Sequence, residues 1–363
     1  MLPVIWATMM ASNAGKIPLR DSLQSVLRAH RASLAPIDRD ALDFLDVIAD
    51  SASVARQVIA TGARISALAP ESNWSVVQAG YLFSAGFARN ALTLLERIDP
   101  ERSWAGAWNT YWASLMDVQH RLGDYPAELR TADRAARVGM EAGNPELGRP
   151  GGVRALIALG RMDTAMSLVR EGVPSSADVQ RLKFLASAAR ELRLRGHRTQ
   201  SDSLYGVVLD WFRARRELPD MRRLRADYID YALQADALGA AKDAAEAVLA
   251  DSADDLAAVM AAHSALGVIA ARRGDRTGAL AQLREVPDAH SHRVFFRWWE
   301  SARKALVAGA LHDREMTLRF LGEMEAQGQR GDPDAAALAD WYPELSWLAG
   351  DPRIRQPYVG GIR

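Results

Sequence analysis

The chain has 363 residues, of which 49% are hydrophobic and 25% are charged, and its 45 basic residues balance its 45 acidic ones. This composition is typical of a folded globular protein and excludes extensive disorder. Because the chain contains no cysteine, disulfide bonds, thiolate metal ligands and a cysteine nucleophile are excluded. The balanced charge provides no long-range attraction to nucleic acid or to an anionic membrane, so neither is expected as a partner.

The first predicted element is a helix in the apolar N-terminal segment 1–11, which lacks the basic start of a signal sequence. No run of about eighteen apolar residues occurs in the chain, so no membrane-spanning helix is predicted and a cytoplasmic location is expected. Further along, four acidic residues open a predicted helix, and we interpret all four as residues that stabilise its N-terminus: Asp38, Asp40, Asp43 and Asp46.

From there on the sequence predicts repeated helical hairpins. Strand patterns are almost absent, and apolar residues recur at spacings of three and four, which is typical of amphipathic helices. A residue that ends one helix is followed five positions later by a small residue, which lets the next helix cross closely. The helix-ending residues are Gly86, Gly123, Gly160, Gly196, Gly239, Gly274 and His312, at intervals of 37, 37, 36, 43, 35 and 38 residues. Gly123 with Glu128 and His312 with Thr317 keep the pattern in a weaker form. Such a two-helix unit buries its apolar faces only by stacking on its neighbours.

In this pattern the chain resembles tetratricopeptide-repeat (TPR) proteins. The best match is Leu266-Gly267 with Ala270, Gly274, Ala279 and Leu283. A second match places Trp112 and Leu115 before Gly123-Asp124-Tyr125, with Met116 where glycine is usual. The resemblance implies an all-α fold, a right-handed α-α superhelix (a TPR-like solenoid) of about eight to nine helical hairpins. We expect the repeats to span residues 1–330 and a C-terminal capping segment to span residues 331–363.

A closer resemblance is to the helical-repeat regions that follow the catalytic domain in some bacterial serine/threonine protein kinases, and to the sensory segments of certain transcriptional regulators. It is carried by Glu96–Arg102, Tyr111-Trp112, Leu122–Tyr125 and Trp347–Ile354. The chain has no Gly-rich nucleotide loop, no His-Arg-Asp loop and no Asp-Phe-Gly motif, so no kinase activity is implied. The resemblance therefore implies a regulatory or docking module.

Motifs with catalytic or metal-binding chemistry are not evident. His290 and His292 form the only close histidine pair, but spacing places no third ligand, so no metal and no cofactor are predicted. No hydrolase, zinc-protease or nucleotide-loop motif occurs, and the chain is predicted not to be an enzyme.

Trp104, Trp108 and Trp112 recur every four residues on one predicted helical face and are interpreted as core, with an aromatic binding wall as the alternative.

These features favour a non-enzymatic interaction scaffold that binds a peptide or protein segment on its concave face. The alternative is a small-molecule-sensing regulatory domain partnered with a kinase or transcription factor, which an enclosed pocket rather than an open groove would favour. A helical hydrolase or transferase is a third hypothesis, but the spacing supplies no convergent acid or base pair.

The candidate binding face follows from the phase of the repeat, because the first helix of each TPR-like hairpin lines the concave surface. Residues thirteen, six and three positions before each turn residue lie on one helical stripe. They select Asn73, Phe83, Asp117, His120, Arg154, Lys183, Arg190, Arg193, Asp236 and Trp299. The basic centre of this stripe predicts an acidic peptide or a C-terminal carboxylate as the ligand.

The last predicted element is the cap, since the final repeat of a solenoid must be covered. Its apolar residues are expected to fold back on the helix that carries Met316, Phe320 and Leu321. These residues are Trp341, Leu345, Trp347, Leu348, Ile354 and Tyr358.

Overall fold

The structure is a computed structural model that describes residues 2–13, 16–49, 55–84, 88–101, 104–144, 146–171, 179–215, 224–251, 256–287, 294–326, 343–348 and 351. All regular structure in these ranges is helical, as the sequence predicts, and no β-strand occurs there. None of the helices in those ranges is both long enough and apolar enough to cross a bilayer.

Eighteen α-helices lie in the described ranges. The first nine are α1 (Leu2–Asn13), α2 (Ile17–Ala29), α3 (Pro36–Ala49), α4 (Ala55–Leu68), α5 (Asn73–Ser84), α6 (Ala88–Leu95), α7 (Asn109–Arg121), α8 (Tyr125–Glu141) and α9 (Arg149–Ala158). The other nine are α10 (Met162–Glu171), α11 (Val179–Leu194), α12 (Arg198–Arg215), α13 (Arg225–Gln234), α14 (Leu238–Asp251), α15 (Leu256–Arg272), α16 (Arg276–Glu285), α17 (Val294–Ala310) and α18 (Arg314–Ala326). Short 3-10 helices are η1 (Arg31–Ser33), η2 (Trp104–Ala107) and η3 (Pro343–Leu348).

One turn conformation ends every odd-numbered helix from α7 to α17. Its left-handed residue has a φ between 54° and 82° and is Gly123, Gly160, Gly196, Asp236, Gly274 or His312. The next residue donates its backbone N–H to the carbonyl five residues earlier, as from Asp124 to Gln119 at 3.0 Å. This is the hydrogen bond of a Schellman turn, and glycine adopts its positive φ without steric cost.

The prediction for Gly239 is wrong. Gly239 is the second residue of α14, and Asp236 holds the left-handed position with a φ of 61°. Aspartate tolerates this conformation better than most residues because its side chain is short and polar. The six turns are consequently 37, 36, 40, 38 and 38 residues apart. The predicted turn glycines at the ends of α7, α9, α11 and α15 are confirmed, and Gly86 lies outside the described residues.

The position five residues after each of these turns is completely buried. Its occupants are Glu128, Ala165, Ser201, Ala241, Ala279 and Thr317, and each is 0% exposed. A small side chain at this position allows the two helices of a hairpin to approach closely. Glu128 is therefore an exception, because a carboxylate occupies a place that the other repeats give to a small residue.

Most helices pack against the next helix along the chain, and odd-numbered helices also contact one another. These additional pairs are α1–α3, α5–α7, α7–α9, α9–α11, α13–α15 and α15–α17. At the crossing of α15 and α17, a Cβ added to Gly267 would lie 2.9 Å from the Val307 side chain. The core consequently follows the chain from one hairpin to the next.

The acidic residues near the start of α3 have different roles from the one predicted. Only Asp38 lies in its first turn. Asp40 binds Arg64 of α4 at 3.0 Å, and Asp46 binds Arg28 of α2 at 2.7 Å. Asp43, between them, binds Arg31 of η1 at 2.6 Å, so these three carboxylates meet neighbouring segments rather than the helix N-terminus.

The described part of the C-terminal segment, η3, packs against α17. Leu345 and Leu348 join the same apolar core as Phe320 and Leu321 of α18. The prediction placed this segment on α18, whereas η3 packs against α17, where Gly309 leaves space for it. Three of the predicted cap residues lie outside the described residues: Trp341, Ile354 and Tyr358.

Replacing Ala279 with tryptophan is expected to destabilise the protein by about 1–3 kcal/mol, because Ala279 is 0% exposed where α15 and α16 cross. Thr277→Trp, at an exposed position of the same helix, is the matched control and should change stability by less than about 0.5 kcal/mol. Urea unfolding measures both variants. Equal stability of the two variants would contradict the close crossing.

Candidate functional site

A cleft of about 700 Å³ lies at the C-terminal ends of α11, α13 and α17 and the last residue of α15, with η3 along one side. The repeat explains the position of the cleft. The first helix of each hairpin from α7 onward ends in the same Schellman turn, and the C-terminal ends of several of these helices lie side by side at the cleft. Its charged and histidine residues are Arg193, Arg198, Asp236, Arg272, His312 and Glu344. The volume falls in the range of about 300–1,000 Å³ that is usual for ligand pockets.

The charges of the cleft are paired within the protein. Arg272 binds Asp236 at 2.6 Å and also binds Glu344 of η3. Arg193 forms an ion pair with Asp202, and the other carboxylate oxygen of Asp202 lies 3.8 Å from Arg198 Nε. All three arginines of the cleft therefore face carboxylates.

The η3 segment is held by one carboxylate, one indole and two leucines. Trp347 Nε1–H donates to the carbonyl oxygens of Glu344 at 2.7 Å and of Gly309 at 3.2 Å. A Cβ added to Gly309 would lie 2.7 Å from the Glu344 carbonyl oxygen, so only glycine fits beneath the segment. Because Leu345 and Leu348 are buried as well, η3 combines polar and apolar anchors on one surface.

A second set of charged groups surrounds the buried Glu128 of α8. One Glu128 oxygen accepts hydrogen bonds from Arg154 Nε at 2.8 Å and Nη2 at 2.7 Å. The other lies 2.7 Å from His120 Nδ1. Arg154 Nη1 in turn binds Asp117 at 2.7 Å. A buried carboxylate is tolerated only when cations and hydrogen bonds compensate its lost hydration, and these partners supply both.

The set continues from His120 to α11. His120 Nε2 lies 3.3 Å from Glu191 Oε2, and the other oxygen of Glu191 binds Arg195 Nε at 2.9 Å. Arg195 also donates to the Tyr125 hydroxyl at 2.8 Å. We call the whole chain of groups the His120 network: Asp117, Arg154, Glu128, His120, Glu191, Arg195 and Tyr125. It joins α7, α8, α9 and α11, which belong to successive hairpins.

The network shifts the pKa values of His120 and Glu191 in opposite directions. Burial alone would lower the pKa of His120, but the hydrogen bonds to Glu128 and Glu191 outweigh it and raise that pKa above its ordinary value. Burial alone would raise the pKa of Glu191, but the hydrogen bonds to His120 and Arg195 lower it. Both shifts favour the ion pair of protonated His120 with ionised Glu191.

Stability is expected to depend on pH through His120. Because its folded pKa is raised, its contribution is complete below about pH 6.5, the unfolded value, and is lost as pH rises through the folded pKa. Urea unfolding should therefore show falling stability above about pH 6.5, and His120→Gln should remove this component. The control His30→Gln changes an exposed histidine of another hairpin and should retain the fall in stability above about pH 6.5. An identical pH profile for His120→Gln and the wild type would contradict the assignment.

A third group of charges links α11, α13 and α17. Arg303 is 2% exposed and binds both carboxylate oxygens of Asp230. Burial and repulsion from Asp230 raise the pKa of the neighbouring Asp227, against the opposite effect of Lys183, Arg190 and Arg303. The basic side chains of α11 therefore face acidic side chains of α13.

The structure places most of the ten predicted site residues in these three groups. Asp117, His120 and Arg154 meet in the His120 network, Lys183 and Arg190 face Asp227, and Arg193 and Asp236 border the cleft. Asn73 begins α5, and Phe83 of the same helix lies 5.9 Å from the Arg121 guanidinium. Trp299 belongs to α17, and its side chain lies outside the described residues.

The role predicted for Asp236 needs correction. The predicted position of Asp236 is on the helical stripe, whereas Asp236 is in fact the left-handed turn residue after α13. With the turn at Asp236, the stripe position six residues earlier falls on Asp230, which binds Arg303. The error comes from taking Gly239 as the turn.

Sequence reasoning missed most of the charged partners in these groups, among them Glu128, Asp230, Arg272, Arg303 and Glu344. Glu128 carried a signal, because a charged residue stood where most repeats have a small one. Arg272 and Glu344 carried none, since 72 positions separate the two partners of this ion pair.

The tryptophans near η2 do not share one helical face. Trp104 belongs to η2 and Trp112 to α7, so the predicted single helix is wrong. Trp112 is completely buried, which confirms the interpretation as core for that residue. Trp104 is 41% exposed, and its Nε1–H donates to the Glu71 carbonyl oxygen at 2.9 Å.

In the described ranges no group of three or more His, Asp or Glu side chains is arranged to hold a metal ion. His290 and His292 lie outside those ranges. No protein-family profile matches the chain, and no curated protein is significantly similar to it in sequence.

Proposed function

We propose that this chain is a non-enzymatic interaction scaffold that binds a protein or peptide segment. In this proposal its hairpins form a right-handed TPR-like superhelix over residues 1–330, and residues 331–363 cover its end. The regular spacing of the six Schellman turns and the contacts between odd-numbered helices support it. A cytoplasmic, bacterial setting is part of the proposal and rests on the resemblance to kinase-associated repeat regions.

The seating of η3 is the observation that carries this proposal. A six-residue segment is held at the ends of α15 and α17 by an ion pair, an indole hydrogen bond and two buried leucines. These are the kinds of contact by which helical scaffolds hold short peptides. A surface that binds one such segment of its own chain is suited to binding one from a partner.

The cleft beside η3 offers further donors. Arg193 Nε is buried and, within the described residues, has no hydrogen-bond partner. The Arg198 side chain is 70% exposed. Arg193 Nε is closed to solvent in this geometry, whereas the exposed Arg198 guanidinium can donate to carbonyl or carboxylate oxygens of a segment, and charge-assisted bonds of this kind favour an acidic one.

The alternative function is the sensing of a small molecule on behalf of a kinase or transcription factor. The volume of the cleft, about 700 Å³, supports it because drug-sized and metabolite-sized ligands occupy pockets of this size. The position of the cleft along the ends of several first helices favours an extended segment instead.

Peptide arrays with acidic and neutral members test the proposal on the wild type, Arg198→Glu and the control Arg319→Glu. Arg319 is 62% exposed on α18 and does not line the cleft. We expect Arg198→Glu to weaken binding of acidic peptides by about tenfold or more, and Arg319→Glu to leave it unchanged. Arg190 is less suitable, because its side chain contacts the buried Tyr205. Absence of peptide binding, or equal loss in both variants, would contradict the proposal.

A further inference from the structure

We propose that η3 is an exchangeable occupant of its surface, and that the partner presents the same pattern of groups. This pattern consists of a carboxylate, a leucine one position later, an aromatic residue three positions later and a second leucine four positions later. In the chain itself the pattern is Glu344, Leu345, Trp347 and Leu348. The inference rests on the proposed function and names the class of partner that the surface takes.

The charge balance of the cleft favours exchange over addition. Arg272 is already bound by Asp236 and Glu344, and Asp202 contacts both Arg193 and Arg198. An acidic segment that entered beside η3 would have to share Arg193 and Arg198 with Asp202, which already contacts both. A segment that replaced Glu344 at Arg272 would restore the same ion pair, so its carboxylate is favoured at that position.

The apolar contacts define the rest of the pattern. Leu345 is 0% exposed and Leu348 is 1% exposed, whereas Ser346 between them is exposed. Trp347 lies half-buried with its indole N–H on the Gly309 carbonyl and its ring 5.6 Å from the His312 ring. A replacement segment therefore needs two apolar side chains three positions apart and an aromatic N–H or O–H donor beside the second.

Tethering makes η3 a strong competitor for its own surface. A segment linked to its site acts at an effective concentration in the millimolar range, whereas a free partner acts at its own concentration. The apparent affinity for a partner is therefore low in the resting chain and rises when the η3 contacts weaken. The ion pair with Arg272 and the Leu345 contact are two of the interactions that hold η3, and loss of either one weakens its binding to the surface.

The experiment measures binding of a fluorescein-labelled peptide of residues 341–351 to the full chain by fluorescence anisotropy. We expect Leu345→Ala in the chain to tighten apparent binding by at least about tenfold. The milder Glu344→Gln removes one charge with little change in volume, and it should tighten binding by about threefold to tenfold. The control Leu318→Ala, in α18 outside η3, should leave apparent binding unchanged.

A charge reversal tests the contact itself. In the Leu345→Ala chain, Arg272→Glu should abolish binding of the peptide, and a peptide with Glu344→Lys should restore it. Equal binding to wild type, Leu345→Ala and Glu344→Gln, or indifference to Arg272→Glu, overturns the inference. If arrayed peptides bind the wild type but the 341–351 peptide does not bind the released chain, only the inference fails. If neither binds, the proposed function fails with it.

Discussion

Replacing Glu128 with glutamine is expected to destabilise the protein by about 3–5 kcal/mol, the usual cost of removing one partner of a buried ion pair. Glutamine keeps the volume of the side chain but removes the charge that Arg154 and His120 both contact. Arg154 would retain only Asp117 as a carboxylate partner. Urea unfolding near neutral pH measures the loss.

Two further variants separate this effect from a general sensitivity of α8. Glu141→Gln changes the same residue type at an exposed position of that helix and should change stability by less than about 0.5 kcal/mol. Glu128→Ala combined with Arg154→Leu and His120→Leu removes the charges together and should recover most of the stability. Alanine already occupies the equivalent position in three other hairpins, at 165, 241 and 279. A triple variant as unstable as Glu128→Gln would show that the charge pairing is not the cause.

The hairpin repeat was predictable because its turns depend on local chemistry. A positive φ is easily adopted by glycine, so four of the six left-handed positions were visible in the sequence as glycines, and the repeat spacing placed a fifth at His312. Asp236 was not, because aspartate takes this conformation less often and Gly239 stood three residues away. One misplaced turn moved the predicted stripe on α13 and hid Asp230.

The binding stripe was predictable only in part because it depends on contacts between hairpins. Helical spacing correctly placed Asp117 and His120 on the same helix, α7. It did not show that His120 meets acids of α8 and α11, or that Asp117 meets Arg154 of α9, and these contacts turn an apparently open polar face into a paired network. Pairing between distant segments, such as Arg272 with Glu344, leaves no local pattern at either residue.

Replacing Gly309 with alanine is expected to destabilise the protein by about 1–3 kcal/mol and to loosen η3, because the added methyl group overfills a packed contact. Its Cβ would lie 2.4 Å from the Leu345 Cδ2 atom and 2.7 Å from the Glu344 carbonyl oxygen. The leucine can rotate, but the backbone oxygen can retreat only if the whole segment shifts. Unfolding in urea gives the stability, and hydrogen exchange of the η3 amides reports the loosening.

The same substitution at Gly322 of α18 is the matched control, since a Cβ there would meet nothing within 4 Å. Alanine at this exposed helical position should stabilise the protein by about 0.5–1 kcal/mol, because glycine loses more backbone entropy on folding. The two Gly→Ala substitutions should thus have opposite signs. If Gly309→Ala were as stable as Gly322→Ala and η3 exchanged no faster, the close seating of η3 on α17 would be wrong. The exchangeable occupant inferred from that seating would then lose its structural basis.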